Sequence, residues 1–174
     1  GARDKTENNQ RAMRQDELVR LFAGPEYRSF ATDPSLKHCY WLPLIGLYTG
    51  ARINEVCQLN PQCDIRQENG VWLFDITEDS DSDGRVKKTL KNASSHRKVP
   101  IHSELIRLGF LKHVEKLKEQ GSQLLFPDWP PYSGRAAGKA EKWFRQLIQD
   151  TNLRDETPGA RLVGFHVFRH TLLN

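Results

Sequence analysis

Four side chains spread along this sequence could act together on a phosphodiester. Arg52 lies in Thr49-Gly50-Ala51-Arg52-Ile53-Asn54-Glu55-Val56, where one apolar stretch ends and another begins. Glu55 follows one helical step later, placed to brace the guanidinium. Lys91 closes one arm of a strongly basic segment, and His166 and Arg169 stand three apart in Phe165-His166-Val167-Phe168-Arg169-His170. Two guanidiniums offer flat, permanently charged forks to non-bridging phosphate oxygens. A histidine can donate to the same oxygens or move a proton, and a lysine can protonate a leaving alkoxide. Such donors meet the charge that builds on a pentacoordinate phosphorus, and they do so without a metal. An exposed Arg–Glu pair by itself is worth under about 1 kcal/mol and identifies nothing. The pairing of Arg52 with the distant His166 and Arg169 is what gives it weight.

The elements that must hold these groups can be read from spacing. Cys39-Tyr40-Trp41-Leu42-Pro43-Leu44-Ile45-Gly46-Leu47-Tyr48 predicts a buried helix, with Pro43 either kinking it or lying in its first turn. Gly50 lets the backbone turn sharply, and a second helix restarts with Ile53, Val56 and Leu59 inward. Met13, Leu18, Leu21 and Phe22 mark an earlier amphipathic helix ended by Gly24-Pro25, with a loop over 29–35. After Asn60-Pro61 the texture changes. Residues 71–76, 85–91 and 96–101 read as strands, with Asn92-Ala93-Ser94-Ser95 turning between the last two. Ser103 caps a helix whose inward row is Leu105, Leu108, Leu111, Val114 and Leu117. Residues 128–134 form a loop, 137–149 a helix burying Trp143, Phe144, Leu147 and Ile148, and a last helix begins near His166. The fold class is α+β, mainly α, with a small three-stranded antiparallel sheet. Residues 1–10 are polar and expected to fray, leaving 11–174 as one domain.

Composition narrows the setting. No apolar run in the 174 residues approaches the roughly 20 of a membrane span. Cys39, Cys57 and Cys63 are odd in number and lack a CxxC spacing, which suggests a reducing compartment. A net charge of +4 points weakly to a polyanion, so its location matters more than its size. Between Gly84 and Pro100 stand Arg85, Lys87, Lys88, Lys91, His96, Arg97 and Lys98, with no acid among them. On a short ribbon such charges repel, a cost that makes sense if phosphates approach. Two other patterns fail on inspection. Asp79-Ser80-Asp81-Ser82-Asp83-Gly84 opens like a calcium loop, but Leu90 stands where the bidentate acid belongs. His166 and His170 have zinc-helix spacing without the Glu of HExxH or an obvious third ligand. No metal and no cofactor is expected.

TGARINEV, KNASSHRKVP and GFHVFRHT, in this order, resemble the catalytic domain of phage integrases, the tyrosine site-specific recombinases, over roughly residues 10 to 174. The resemblance implies that Arg52 is the family's first arginine and Glu55 the acid supporting it. Lys91, nine before Pro100, falls at the hairpin lysine, with Lys88 the fallback because hairpin lengths vary. His166 and Arg169 match HxxR. Arg85, Lys87, Lys88, His96, Arg97 and Lys98 are then expected to face double-stranded DNA. The implied reaction is attack of a tyrosine hydroxyl on the scissile phosphate. The resulting 3′-phosphotyrosine conserves bond energy, so strands exchange and reseal without ATP. The family works as a tetramer on two duplexes, and the implied setting is a phage or mobile element in a bacterial cytoplasm.

The family's second His or Trp and its tyrosine nucleophile lie beyond HxxR, whereas this sequence ends at Asn174, five residues after Arg169. Tyr27, Tyr40, Tyr48 and Tyr132 all precede HxxR and read as packing or rim aromatics. The expectation is a fragment that binds DNA weakly and does not cleave it. A type IB topoisomerase would use the same phosphate chemistry to relax supercoils, and a non-catalytic DNA-binding module would keep the fold and lose the reaction.

Overall fold

The computed structural model describes residues 9–78 and 95–173. They form two compact units, one from Gly1–Ala51 together with Ala140–Asn174, the other from Arg52–Lys139. The architecture is α+β and mainly α, with one three-stranded antiparallel sheet.

The first unit is helical. Its elements are α1 (Gln15–Phe22), α2 (Pro25–Thr32), a 3₁₀ turn (Pro34–Leu36) and α3 (Lys37–Thr49). From the far end of the chain come the body of α7 (Gly138–Asp150) and α8 (Val167–Leu173). The loop expected over 29–35 is therefore helical as far as Thr32. Pro25 does not simply stop α1, because a proline at a first helical position starts a new helix where its missing N–H costs nothing. Pro43 lies inside α3.

The centre of this unit is aromatic. Phe22, Phe144, Phe165 and Phe168 pack edge-on or tilted, with ring centroids 5.3–6.1 Å apart. They reach α3 because Gly46 has no side chain. A Cβ there would stand 2.4 Å from Phe165 Cζ and 2.7 Å from Phe168 Cδ2. Both rings are buried and have nowhere to retreat. Gly46→Ala is expected to destabilise the protein by about 1–3 kcal/mol through overpacking. The gain in helix propensity, about 1 kcal/mol, offsets only part of that. A lowered denaturant midpoint with unchanged slope is the expected reading.

One end of α1 is fixed by charge. Glu17 is buried, and Arg11 forks its carboxylate at 2.7 and 2.9 Å, while the Arg14 main-chain N–H donates to it at 2.9 Å. Hydrogen bonds from Arg11 hold the Glu17 carboxyl below its usual range. Arg11 also reaches Asp155, whose carboxyl sits at about 2, chiefly through the hydroxyl and main chain of Thr157 and then through Arg11. Asn9 and Gln10, inside the stretch expected to fray, join Arg161, whose N–H donates to the Asn9 carbonyl at 2.9 Å. Residues 1–8 lie outside the described part.

The second unit carries α4 (Ile53–Cys57), β1 (Ile65–Glu68), β2 (Val71–Thr77), β3 (His96–Pro100), α5 (Ser103–Arg107) and α6 (Phe110–Glu119). The sheet order is β1-β2-β3, with Ile65 opposite Phe74 and Phe74 opposite Val99. The strand over 65–68 was not expected, although Asn69-Gly70, both at positive φ, is the usual signal of a two-residue hairpin turn. The strand expected over 85–91 and the turn after it lie outside the described residues, as does the acidic run from Asp79. The single helix expected from Ser103 is two, broken at Gly109 with φ 97. Its cap is His102, whose Nδ1 accepts the Glu104 N–H at 3.0 Å, in place of Ser103. The break re-phases the inward row, so that Phe110 is fully buried and Leu108 and Leu111 only half so.

Candidate functional site

Arg52 is the N-cap residue of α4, in extended conformation at φ −73 and ψ 149. Its main-chain N–H donates to Glu55 Oε1 at 2.9 Å, which satisfies one of the orphan donors at the helix start. Glu55 is buried, with 1% of its side chain exposed, so its charge requires a partner. Arg97, from β3, supplies it. Its Nη1 and Nη2 reach the two carboxylate oxygens at 3.0 and 2.9 Å. The Glu55 hydrogen bonds raise the Arg97 pKa above its ordinary value. Glu55 therefore braces Arg52 through its backbone, and Arg97 braces Glu55.

Arg14 and Glu17 repeat the device in the first unit, with Arg11 in the place of Arg97. An N-cap arginine followed three residues later by a buried, forked glutamate is thus a way of starting a helix in this protein. By itself it does not mark a site. Arg14 is largely exposed, whereas Arg52 is half-buried and follows a closely packed turn.

The basic segment is divided by strand alternation. Successive side chains on β3 point to opposite faces, so Arg97 goes with Val99 and His96 with Lys98. On the His96 face, Lys98 meets Glu68 at 2.9 Å and His96 Nδ1 meets Asp75 at 3.2 Å. Arg66 bonds both Glu68 and Asp75. Burial pushes the Asp75 carboxyl up, but Arg66 and His96 outweigh it and hold the group below its usual value. The segment from Gly84 to Pro100 has no acid of its own, yet β1, β2 and α4 bring three to its described end. Lys91, Arg85, Lys87 and Lys88 lie outside the described residues.

In the first unit, His166 is exposed immediately before α8, and Arg169 is half-buried in its first turn. The Arg169 main-chain N–H donates to the His166 carbonyl at 3.1 Å. Between them, Val167 and Phe168 are fully buried, and Phe165 before them nearly so. His166 and Arg169 are the polar members of an otherwise apolar run, one step of a helix apart. The hydroxyl of Thr171 locks the turn by donating to the Val167 carbonyl at 2.7 Å and accepting the Met13 N–H at 2.9 Å. The side chain of His170 falls outside the described part. Among the described residues, no group of three or more His, Cys, Asp and Glu could hold a metal ion. No described helix is long and apolar enough to cross a membrane.

Two residues shape this site through contacts that sequence spacing did not bring out. Arg97 was expected to face a phosphate, yet period-two alternation already put it on the Val99 side. Asn54 is buried, and its Oδ1 accepts the Ala137 N–H at 3.0 Å, tying α4 to a segment 83 residues later. Nothing local in the sequence signals that bond.

No protein-family model and no curated protein matches the chain. Among solved structures, the chain is similar to the XerH site-specific recombinase bound to difH substrate in a pre-cleavage complex. The TM-score is 0.57 at 22% identity, over 92% of this chain and 40% of that one. The same recombinase in a post-cleavage complex with a palindromic difH substrate matches at TM-score 0.57 and 22% identity, over 94% and 41%. The chain thus spans about two fifths of the length of those recombinases.

Proposed function

We propose, for a chain that shares the fold of a site-specific recombinase, that it serves DNA strand cleavage and rejoining through a 3′-phosphotyrosine. Arg52 and Arg169 fork the non-bridging oxygens of the scissile phosphate, and His166 donates to the same oxygens or moves a proton. Lys91 protonates the leaving 5′ oxygen, and Glu55 positions Arg52. When the tyrosine oxygen attacks phosphorus, the bond to the 5′ oxygen breaks. Attack by a 5′ hydroxyl reverses the step and releases the tyrosine. The observation that carries this reading is the occurrence, within the shared fold, of Arg52 at a helix start anchored by Glu55 and of His166 and Arg169 at another.

Double-stranded DNA is the substrate, approached through Arg85, Lys87, Lys88, His96, Arg97 and Lys98. His96, Arg97 and Lys98 already hold Asp75, Glu55 and Glu68, so phosphates there compete with internal acids. The rest of the basic segment then carries more of the contact. Assembly is a tetramer on two duplexes, and the setting is integration or excision of a mobile element.

The test is covalent capture by the full-length protein on a duplex nicked beside the scissile phosphate, where the short product strand diffuses away. A protein–DNA adduct resistant to denaturant and removed by protease is the expected result. Strong binding to the recombination site with no adduct and no strand exchange would favour the non-catalytic module. Relaxation of supercoils without a defined site would favour the topoisomerase.

A further inference from the structure

Arg145 belongs to α7, and the packing of that helix carries it to the turn that bears His166. The buried face of α7 holds Ala140, Phe144, Leu147 and Ile148. Phe144 meets Phe165 and Phe168, the residues on either side of His166 and Val167, with ring centroids 5.3 and 5.4 Å away. Arg145 follows Phe144, and its stem lies across Gly164. A Cβ on that glycine would stand 3.8 Å from Arg145 Cγ and 3.7 Å from its Nε, which is ordinary contact. Gly164 is itself buried and comes two residues before the exposed His166. The stem of Arg145 thus rests on backbone while its charged head stays in water, with 61% of the side chain exposed.

That head is engaged only at long range. Among the described residues, the acid that meets Arg145 is Glu141, one helical turn earlier, at 3.8 Å. The separation exceeds a hydrogen bond, and an exposed ion pair of this kind holds its partners weakly. A phosphate can displace Glu141, because it offers two oxygens for the planar guanidinium to fork. His166 and Arg169, just beyond Gly164, are assigned above to the scissile phosphate. A duplex resting on their turn presents the adjoining phosphates of its backbone to the side chains next to that turn.

We propose that Arg145 binds a backbone phosphate of duplex DNA adjacent to the scissile one, and so holds the strand beside His166 and Arg169. The inference rests on the DNA reading above and deepens it. The contact is to an unreacting phosphate, so it contributes to binding and carries no sequence information.

The experiment is fluorescence anisotropy of the whole chain with labelled duplexes of two unrelated sequences, titrated across salt. Arg145→Met keeps a stem over Gly164 and removes the charge. It should lower the slope of log affinity against log salt by about one on both duplexes, as loss of one phosphate contact requires. Arg145→Lys should restore the wild-type slope. Arg154→Ala, which removes an exposed arginine beyond the end of α7, should leave the slope unchanged. Thermal midpoints are measured alongside, and an unchanged midpoint is expected for Arg145→Met because the head it loses is in water. A wild-type slope in Arg145→Met would overturn the contact and leave the recombinase reading standing. So would a loss confined to one sequence, which would make Arg145 a base contact, or an equal loss in Arg154→Ala, which would make any surface cation sufficient. A wild-type chain with no salt-dependent affinity for duplex would overturn both readings.

Discussion

If the proposed strand cleavage is carried out with Arg169 as a donor, Arg169→Ala is expected to slow it by about 10²–10³-fold, the usual loss when one preorganised donor is removed from a developing anion. The effect belongs in the rate of adduct formation and not in affinity, because only one phosphate contact is lost among many. Arg169→Lys should recover part of the rate, since an ammonium keeps the charge but cannot fork two oxygens. Arg52→Ala should show a loss of similar size. The double variant should fall short of the product of the two, because the proposed chemistry has both guanidiniums serve the same oxygens. Phe168 and Val167 are fully buried and carry the packing of this turn, so removing the half-exposed Arg169 side chain leaves the core packed. Strand exchange by Arg169→Ala at the wild-type rate would remove the catalytic reading and leave a DNA-binding module.

The second large effect is on stability. Arg97→Ala takes the forked guanidinium away from the Glu55 carboxylate, whose side chain is 1% exposed, and leaves a buried charge with the Arg52 main-chain N–H still bonded to it. Removing one partner of a buried pair typically costs about 3–5 kcal/mol. Arg97 itself is 32% exposed, which lets water approach and places the expected loss near the low end. On a chain of this size that is a drop of roughly 6–12 °C in the midpoint. A double variant, Glu55→Gln with Arg97→Met, removes both charges and should regain much of the loss. If Arg97 instead served only as a phosphate contact, its removal would leave the midpoint unchanged and lower only DNA affinity.

These two arginines show what was legible in the sequence. Arg169 and His166 are legible from their spacing of three at the start of a helix, and the structure adds that Phe165, Val167 and Phe168 around them are buried. The buried helix before Gly50 and the strand over Val71–Thr77 follow from hydrophobic spacing in the same way. Arg97 was harder to read. Counted along the segment it is one cation among several, and only its strand face reveals that it turns toward Glu55. Balance of charge was misleading for a related reason. Acids absent from one strand can be supplied by its neighbours, as Glu68 and Asp75 are, and a linear count does not see across a sheet. The strand over Ile65–Glu68 and the helix over Pro25–Thr32 are short, four and eight residues, and turn residues at their edges masked them.

Glu55 and Arg97 are separated by 42 positions, and the sheet must form before they can meet. As the polypeptide leaves the ribosome, the helix that Arg52 opens emerges well before the strand that secures it. Until that strand has folded back, the Glu55 carboxylate has the Arg52 N–H but lacks the guanidinium that forks it, and closing so long a loop is entropically costly. The seat of this arginine is thus finished late, and a nascent chain paused short of residue 97 would hold it only loosely.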